Sequence, residues 1–109
     1  MSYNILLTKR FQKEAKRLIK KFPSLKNEFT VLVSELNVNP ETGVNIGKNC
    51  YKIRISVASK GKGKSGGARV ITYLYVKEET LYLLSIYDKS EKDSLSDKEL
   101  KELLNTLDI

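Results

Sequence analysis

The residues best suited to chemistry in this sequence are arginines and lysines gathered in one segment. Residues 42–77 hold eight basic side chains and no acidic one, within a chain of net charge +7. The eight are Lys48, Lys52, Arg54, Lys60, Lys62, Lys64, Arg69 and Lys77. A long stretch of one sign is typical of a protein that binds a polyanion, whereas a face kept only for solubility usually mixes signs. The segment therefore predicts a cationic surface for nucleic acid.

Arg54 and Arg69 are the most specific candidates for phosphate contact in this segment. Each lies in a predicted strand, and a glycine-rich loop connects the two strands, so we expect the arginines to meet on one face of a sheet. A planar guanidinium suits bidentate contact with a phosphate, above all with one that gains charge in a transition state. Either arginine could instead pair with an acid of the C-terminal segment. We favour the phosphate for Arg69, and both interpretations stay open for Arg54.

The connecting loop, KGKGKSGG at residues 60–67, superficially resembles a phosphate-binding loop. It joins two strands and does not enter a helix, so it does not indicate an NTPase. Lysines spaced by glycines suit a flexible arm along a phosphate backbone, although an ordinary mobile hairpin loop has the same composition. We predict backbone contacts at Lys48, Lys60, Lys62 and Lys64.

Two further candidates follow the last predicted strand, where side chains are well placed to project onto a shared site. They are Tyr87 and Lys89. The chain contains no histidine and one cysteine, Cys50, which excludes Ser-His-Asp and Cys-His chemistry and makes a zinc site very unlikely. We expect neither a metal nor a cofactor, and we expect Cys50 to be a small buried side chain.

The elements that must position these residues follow from hydrophobic periodicity. Residues 3–9 alternate as a strand, and two amphipathic helices follow, the first ending at Pro23 and the second before Pro40. Residues 39–50 are predicted as loop. Three strands come next, at residues 51–58, 69–76 and 81–87, and then a helix with Ser96 as N-cap. This order, β-α-α-β-β-β-α, predicts an α+β fold in which a helical hairpin packs on a mainly antiparallel four-stranded sheet.

The 109 residues predict a single domain, 1–109. The first seven residues lack the long apolar core of a signal peptide, and no apolar run approaches the ~18 residues of a membrane span. With one cysteine no internal disulfide is possible. We therefore expect a cytoplasmic protein without a membrane partner.

Three stretches together carry a resemblance to a known family. YKIRI at residues 51–55, GARVI at residues 67–71 and LLSIYDK at residues 83–89 resemble the central part of RelE/ParE-superfamily toxins. The likeness runs from about residue 3 to residue 107. The glycine-lysine loop and the ending IYDKSE at residues 86–91 look most like the HigB branch. The specificity lies in the order and spacing of these stretches.

The resemblance implies the toxin of a type II toxin–antitoxin system, with a RelE-like fold. Such a toxin is a ribosome-dependent mRNA endoribonuclease, an mRNA interferase that inhibits translation in the ribosomal A site. The RNA 2′-hydroxyl attacks the adjacent phosphate, so that no metal or cofactor is required. The implied partners are the ribosome, the mRNA and a cognate antitoxin, which in the HigB branch is often a helix-turn-helix protein.

The family pattern also assigns roles by position. Lys52 and Arg54 fall on the strand that faces RNA, and Arg69 falls on the arginine that steadies the phosphate. Lys89 falls where RelE has a further catalytic arginine. The catalytic tyrosine of RelE has no counterpart near Leu95, and Tyr87 is the available substitute. The predicted catalytic set consists of Arg69, Lys89, Arg54, Lys52 and Tyr87.

Two alternatives remain. A ParE-like toxin inhibits DNA gyrase and does not cut RNA, and such toxins generally lack the full basic set present here. A non-catalytic nucleic-acid-binding module needs only the cationic face. Replacing Arg69 separates the latter from a nuclease, because a binder loses affinity and salt dependence whereas a nuclease loses cutting.

Overall fold

Five strands and three helices succeed one another in a computed structural model that describes residues 3–61 and 63–107. The elements in chain order are β1 (Asn4–Leu7), α1 (Lys9–Lys21), α2 (Leu25–Val38), β2 (Val44–Gly47), β3 (Cys50–Ile55), β4 (Ala68–Tyr75), β5 (Thr80–Asp88) and α3 (Asp97–Asn105). Short 3₁₀ turns at Ala58–Lys60 and Val76–Glu78 lie in two of the connections. Among the described residues, no helix combines the length and the apolarity needed to cross a membrane.

The strands form one sheet in the order β1-β5-β4-β3-β2. β1 runs parallel to β5, and the other pairs are antiparallel. The predicted α+β class with a mainly antiparallel sheet is confirmed. The predicted number of four strands is wrong, because β2 lies within residues 39–50, which we expected to be loop. A strand of four largely exposed residues at a sheet edge leaves little hydrophobic alternation to detect.

The turn between β2 and β3 explains how this short edge strand is held. Gly47 pairs with Cys50, so only Lys48 and Asn49 form the turn. Both have positive φ, 56° and 61°, as a two-residue type I′ turn requires. Lys48 therefore lies at the tip of a tight hairpin.

The helical hairpin covers one face of the sheet. The side-chain oxygen of Thr8 accepts a hydrogen bond from the Phe11 backbone N–H and caps α1, and α1 ends two residues before Pro23. Both helices bury apolar side chains against the strands, and each fully buried one contributes about 1.5–3 kcal/mol. Those side chains are Phe11, Leu18, Leu25, Leu32 and Leu36.

The opposite face of the sheet is partly covered by α3, and we call it the α3 face. The capping box that the sequence predicts from Ser96 and Glu99 is confirmed at the start of this helix. Leu100 and Leu103 pack in a second apolar cluster that also contains Cys50, Ile71, Leu84 and Tyr87. The α3 face is therefore apolar beneath the helix. The C-terminal end of β3 and the N-terminal end of β4 are left for polar side chains.

Candidate nucleic-acid interface

Three of the basic residues predicted to be catalytic lie on the α3 face, because successive side chains of a strand point to opposite faces of the sheet. Ile53, Ile55 and Val70 pack against the helical hairpin, so their neighbours in sequence point the other way. Those neighbours are Lys52, Arg54 and Arg69. Arg54 is the direct cross-strand partner of Arg69, which in turn is the partner of Tyr87 on β5. The expectation that the two arginines meet on one sheet face is confirmed.

Arg69 is held beneath the glycine-rich loop. Its Nη1 donates to the backbone oxygens of Lys64, at 2.8 Å, and Ala68, at 3.2 Å, and its Nη2 donates to that of Ser65, at 3.1 Å. The residue is only 5% exposed. A guanidinium has five N–H donors, and these three contacts fix its plane beneath the loop. Among the described residues, neither Arg69 nor Arg54 forms an ion pair with an acid.

Lys89 forms contacts with Asp93, a residue that the sequence analysis did not identify. Its Nζ donates to the backbone oxygen of Asp93, at 3.0 Å, and to the Asp93 carboxylate. The hydrogen bond and charge of Lys89 hold the pKa of Asp93 below its ordinary value, and the charges of Lys52 and Arg69 lower that pKa further. Lys89 therefore pairs with an exposed carboxylate whose pKa is also lowered by two other predicted catalytic cations. The sequence signal that could have identified Asp93 is its spacing of four residues from Lys89.

A glycine brings the strand ends that carry these cations together. The backbone N–H of Lys89 donates to the Gly67 oxygen at 3.0 Å. A Cβ at Gly67 would lie 2.1 Å from the backbone oxygen of Ile55. Since no side chain fits there, glycine permits the end of the loop to pass between the ends of β3 and β5.

Tyr87 lies beside Arg69 with its hydroxyl shielded from solvent. The hydroxyl has no hydrogen-bond partner among the described residues, which is unusual for a buried polar atom. Burial raises the pKa of Tyr87 and the charge of Arg69 lowers it, with burial dominating. The phenol therefore stays protonated at neutral pH, where it can serve as a general acid but not as a general base.

The predicted backbone-binding lysines are dispersed in the structure. Lys48 lies at the β2–β3 turn, at the opposite end of β3 from Arg54, and Lys62 falls outside the described residues. Lys64 is exposed and lines a groove of about 170 Å³ beside Arg54. RNA contact through these lysines stays a prediction.

Lys60 has a structural contact instead of a free ammonium. Its Nζ donates to the carboxylate of Asp88 and, at 2.8 Å, to the backbone oxygen of Gly66. Burial by itself would raise the pKa of Asp88, but the hydrogen bonds from Lys60 and from the Ser90 N–H outweigh it, so the pKa is lowered. The pair lies against Phe22 on the hairpin side of the sheet, away from Arg69. Lys60 therefore ties the loop to the end of β5.

Cys50 has the buried position expected of it. Burial raises the pKa of its thiol to about 11, against a smaller opposing effect of the Lys48 charge. Since the thiolate is the reactive form, the thiol is inert at neutral pH.

Comparisons with known proteins agree with this geometry. A family model described as the RelE toxin of the RelE/RelB toxin–antitoxin system matches residues 3–107. A mutant E. coli toxin RelE in the free state has a TM-score of 0.66 at 15% identity, over 98% of this chain and 99% of that chain. The isolated E. coli RelE toxin has a TM-score of 0.62 at 16% identity, over 97% and 100%. The intact E. coli RelBE toxin–antitoxin complex gives 0.61 at 17% identity, over 80% and 96%. The expected RelE-like fold is confirmed.

Proposed function

The chain belongs to the RelE toxin family of RelE/RelB toxin–antitoxin systems, and from that membership we propose that it is a ribosome-dependent mRNA endoribonuclease. The catalytic residues of this proposal are the cationic cluster, defined as Lys52, Arg54, Arg69 and Lys89, together with Tyr87. The scissile phosphate of the mRNA binds at the cluster, and cutting the message arrests translation.

One observation carries the proposal. Lys89 forms an ion pair with the carboxylate of Asp93, and the charges of Lys52 and Arg69 also lower the pKa of that carboxylate. An exposed carboxylate held by one lysine is easily displaced, because such ion pairs contribute little stability. In the proposed complex an RNA phosphate takes the place of the Asp93 carboxylate among these cations.

The proposed chemistry needs no group beyond these side chains. The 2′-hydroxyl of the RNA gives its proton to solvent as its oxygen attacks the adjacent phosphorus. The bond from phosphorus to the 5′-oxygen breaks, which leaves a 2′,3′-cyclic phosphate, and negative charge builds on the phosphoryl oxygens in the transition state. Arg69 is fixed by the loop carbonyls before substrate arrives, so its charge acts on the transition state without reorganisation. The Tyr87 hydroxyl is protonated at neutral pH and has no hydrogen-bond partner among the described residues. In the proposed complex this buried hydroxyl becomes accessible and supplies a proton to the leaving 5′-oxygen.

The proposed partners follow from the same assignment. The toxin works in the cytoplasm, in the A site of the ribosome, where the mRNA is presented to the cationic cluster. A cognate antitoxin neutralises it, as the structure of the E. coli RelBE toxin–antitoxin complex supports. By its likeness to the HigB branch, we propose that this antitoxin is a helix-turn-helix protein.

A translation assay separates this function from its rivals. Purified toxin added to a cell-free translation reaction should stop protein synthesis, and Arg69→Ala should not. The same preparation should leave DNA gyrase supercoiling unaffected. Inhibited supercoiling with intact mRNA would establish a gyrase inhibitor, and binding to RNA without translation arrest would establish a non-catalytic module.

A further inference from the structure

The end of the glycine-rich loop is held through its backbone oxygens. Four successive carbonyl oxygens, those of residues 64–67, each accept a hydrogen bond. The first two accept from the Arg69 guanidinium, at 2.8 and 3.1 Å. The third accepts from the Lys60 ammonium at 2.8 Å, and the fourth accepts from the Lys89 backbone N–H at 3.0 Å. This short segment therefore connects two residues of the cationic cluster to Lys60.

Lys60 is itself fixed on the hairpin side of the sheet. Its Nζ also donates to the Asp88 carboxylate, and the side chains of this pair are only 10% and 3% exposed. The carboxylate accepts a further hydrogen bond from the Ser90 N–H, at 2.9 Å. The ammonium lies 5.9 Å from the centre of the Phe22 ring, at the end of α1. The donor that holds the Gly66 oxygen thus has a defined position in the fold.

Stability alone does not explain a buried ion pair at this point. Taking two charges out of water costs several kcal/mol, and apolar residues of similar volume are often as stable or more stable. An apolar pair, however, could not donate to the Gly66 oxygen. The carbonyls of Lys64 and Ser65, which hold Arg69, would then lose the contact that fixes the next peptide of the loop.

The competing role for Lys60 is the RNA backbone contact that the sequence predicts. Its ammonium lies on the hairpin side with Phe22 and Asp88, whereas Arg54 and Arg69 lie on the α3 face. A phosphate that reached Lys60 would have to displace Asp88 from a buried pair. The position of Lys60 therefore favours an action on the site from behind, through the loop.

Resting on the proposed nuclease function, we propose that Lys60 and Asp88 are positioning residues, which hold the loop carbonyls in the arrangement that directs the Arg69 guanidinium at the scissile phosphate. Neither residue touches RNA. The same arrangement fixes the backbone of Lys89, which directly follows Asp88 and donates to the Gly67 oxygen. Arg69 and Lys89 are thus oriented on one face of the sheet by a pair buried on the other.

The test uses a double variant of the full-length protein, Lys60→Met/Asp88→Asn. It removes both charges together, so no buried charge is left unpaired and the fold should persist. Asp88→Asn alone is a second, milder variant, in which Lys60 keeps its donor and loses its counterion.

Ser59→Ala is the control for loosening the loop in general. The exposed Ser59 side chain accepts from the Ser24 backbone N–H at 3.1 Å and so ties the start of the loop to α2. This change leaves Lys60, Asp88 and residues 64–67 as they are. Urea unfolding of each variant measures its stability.

Two measurements report on Arg69. The first is its side-chain resonances in ¹H–¹⁵N spectra of the free protein at low temperature, assigned by their loss in Arg69→Lys. Both Nη atoms are hydrogen-bonded in the loop, so rotation of the guanidinium is hindered and separate Nη–H resonances are expected. The second is the kcat and the KM for cleavage of mRNA on programmed ribosomes.

The separate Arg69 resonances should persist in wild type and Ser59→Ala, and they should merge in the double variant. The kcat of the double variant should fall by about ten- to a hundredfold with KM unchanged, as for an interaction made only in the transition state. Asp88→Asn should give an intermediate loss, and Ser59→Ala should keep the wild-type kcat.

Separate Arg69 resonances in the double variant would overturn the proposal, as would the same losses in Ser59→Ala. Merged resonances with an unchanged kcat would overturn the catalytic role of the pair. A raised KM with an unchanged kcat would overturn the proposal in favour of RNA contact by Lys60. The resonances are measured without ribosomes, so they decide whether the pair orients Arg69 even if the wild-type protein cleaves no mRNA and the proposed function fails.

Discussion

Arg69 on β4 lies directly opposite Arg54 on β3 in an antiparallel pair. Like charges in this position destabilise a sheet, by a fraction of a kcal/mol up to about 1 kcal/mol. The fold accommodates them by binding the Arg69 guanidinium to loop carbonyls while Arg54 stays exposed. A phosphate bound at this pair would relieve the repulsion, and the arrangement therefore favours an anionic ligand over a purely structural role.

Replacing Arg69 should abolish the activity. We expect Arg69→Ala to slow mRNA cleavage by about 10²–10³-fold, since a fixed donor to the transition-state charge is lost. Arg69→Lys should be nearly as inactive, because an ammonium cannot reproduce the planar fork. Single-turnover cleavage on ribosomes measures this. Arg10→Ala, which removes an exposed arginine on the other face, is the matched control, and equal losses in both would contradict the assignment.

Lys89 and Asp93 should respond in opposite directions. Lys89→Ala removes a cation from the phosphate site and should weaken RNA binding and abolish toxicity. Asp93→Asn removes the competing carboxylate and should tighten RNA binding by about two- to fivefold. Asp97→Asn, at an exposed position in α3, controls for the change of net charge. Weaker binding by Asp93→Asn would show that the carboxylate has a positive role that the proposal does not give it.

Tyr87→Phe should slow cleavage without destabilising the fold. The hydroxyl has no hydrogen-bond partner among the residues that the structure describes, so its removal should leave the free energy of unfolding unchanged within about 1 kcal/mol or raise it. Cleavage should slow by about a hundredfold if the phenol is the proton donor. Urea unfolding and single-turnover cleavage of the same preparation give both numbers. Undiminished cleavage would remove Tyr87 from the catalytic set.

The Lys60–Asp88 pair should control stability and its pH dependence. Lys60→Met leaves a buried carboxylate unpaired and should cost about 3–5 kcal/mol, whereas Lys64→Met, in the same loop but exposed, should cost little. The pKa of Asp88 is lowered in the folded state. The contribution of the pair is therefore complete above the ordinary aspartate pKa and is lost as pH falls through the folded value.

Urea unfolding at several pH values between neutral and acid measures this dependence. The wild-type protein should lose stability over that acid range, and Lys60→Met should lose less, because its Asp88 is no longer held ionised. Parallel pH profiles for the two proteins would contradict this account of the pair.

The sequence predicted the elements with strong local signals. Pro23 and Pro40 mark the ends of the first two helices, and Ser96 with Glu99 marks the start of the third, because these signals act within one turn. β2 was missed, since four exposed residues at an edge owe their conformation to pairing with β3.

The sequence also predicted one part of the candidate site and missed another. Strand alternation placed Lys52, Arg54 and Arg69 on one face. The burial of Arg69 beneath loop carbonyls and the pairing of Lys60 with Asp88 depend on how the loop folds back, which no local pattern encodes. Asp93 was missed because the spacing from Lys89 is a weak signal outside a helix, and Lys52 and Arg69, whose charges also lower its pKa, lie on other strands.

The most direct test of the central claim maps new 5′ ends on an mRNA incubated with the purified toxin. One reaction contains ribosomes translating that message, and a parallel reaction contains the same mRNA alone. The account predicts cuts within the translated region only when ribosomes are present, and none with Arg69→Ala. Intact mRNA in both reactions, from a toxin that still arrests growth, would contradict it.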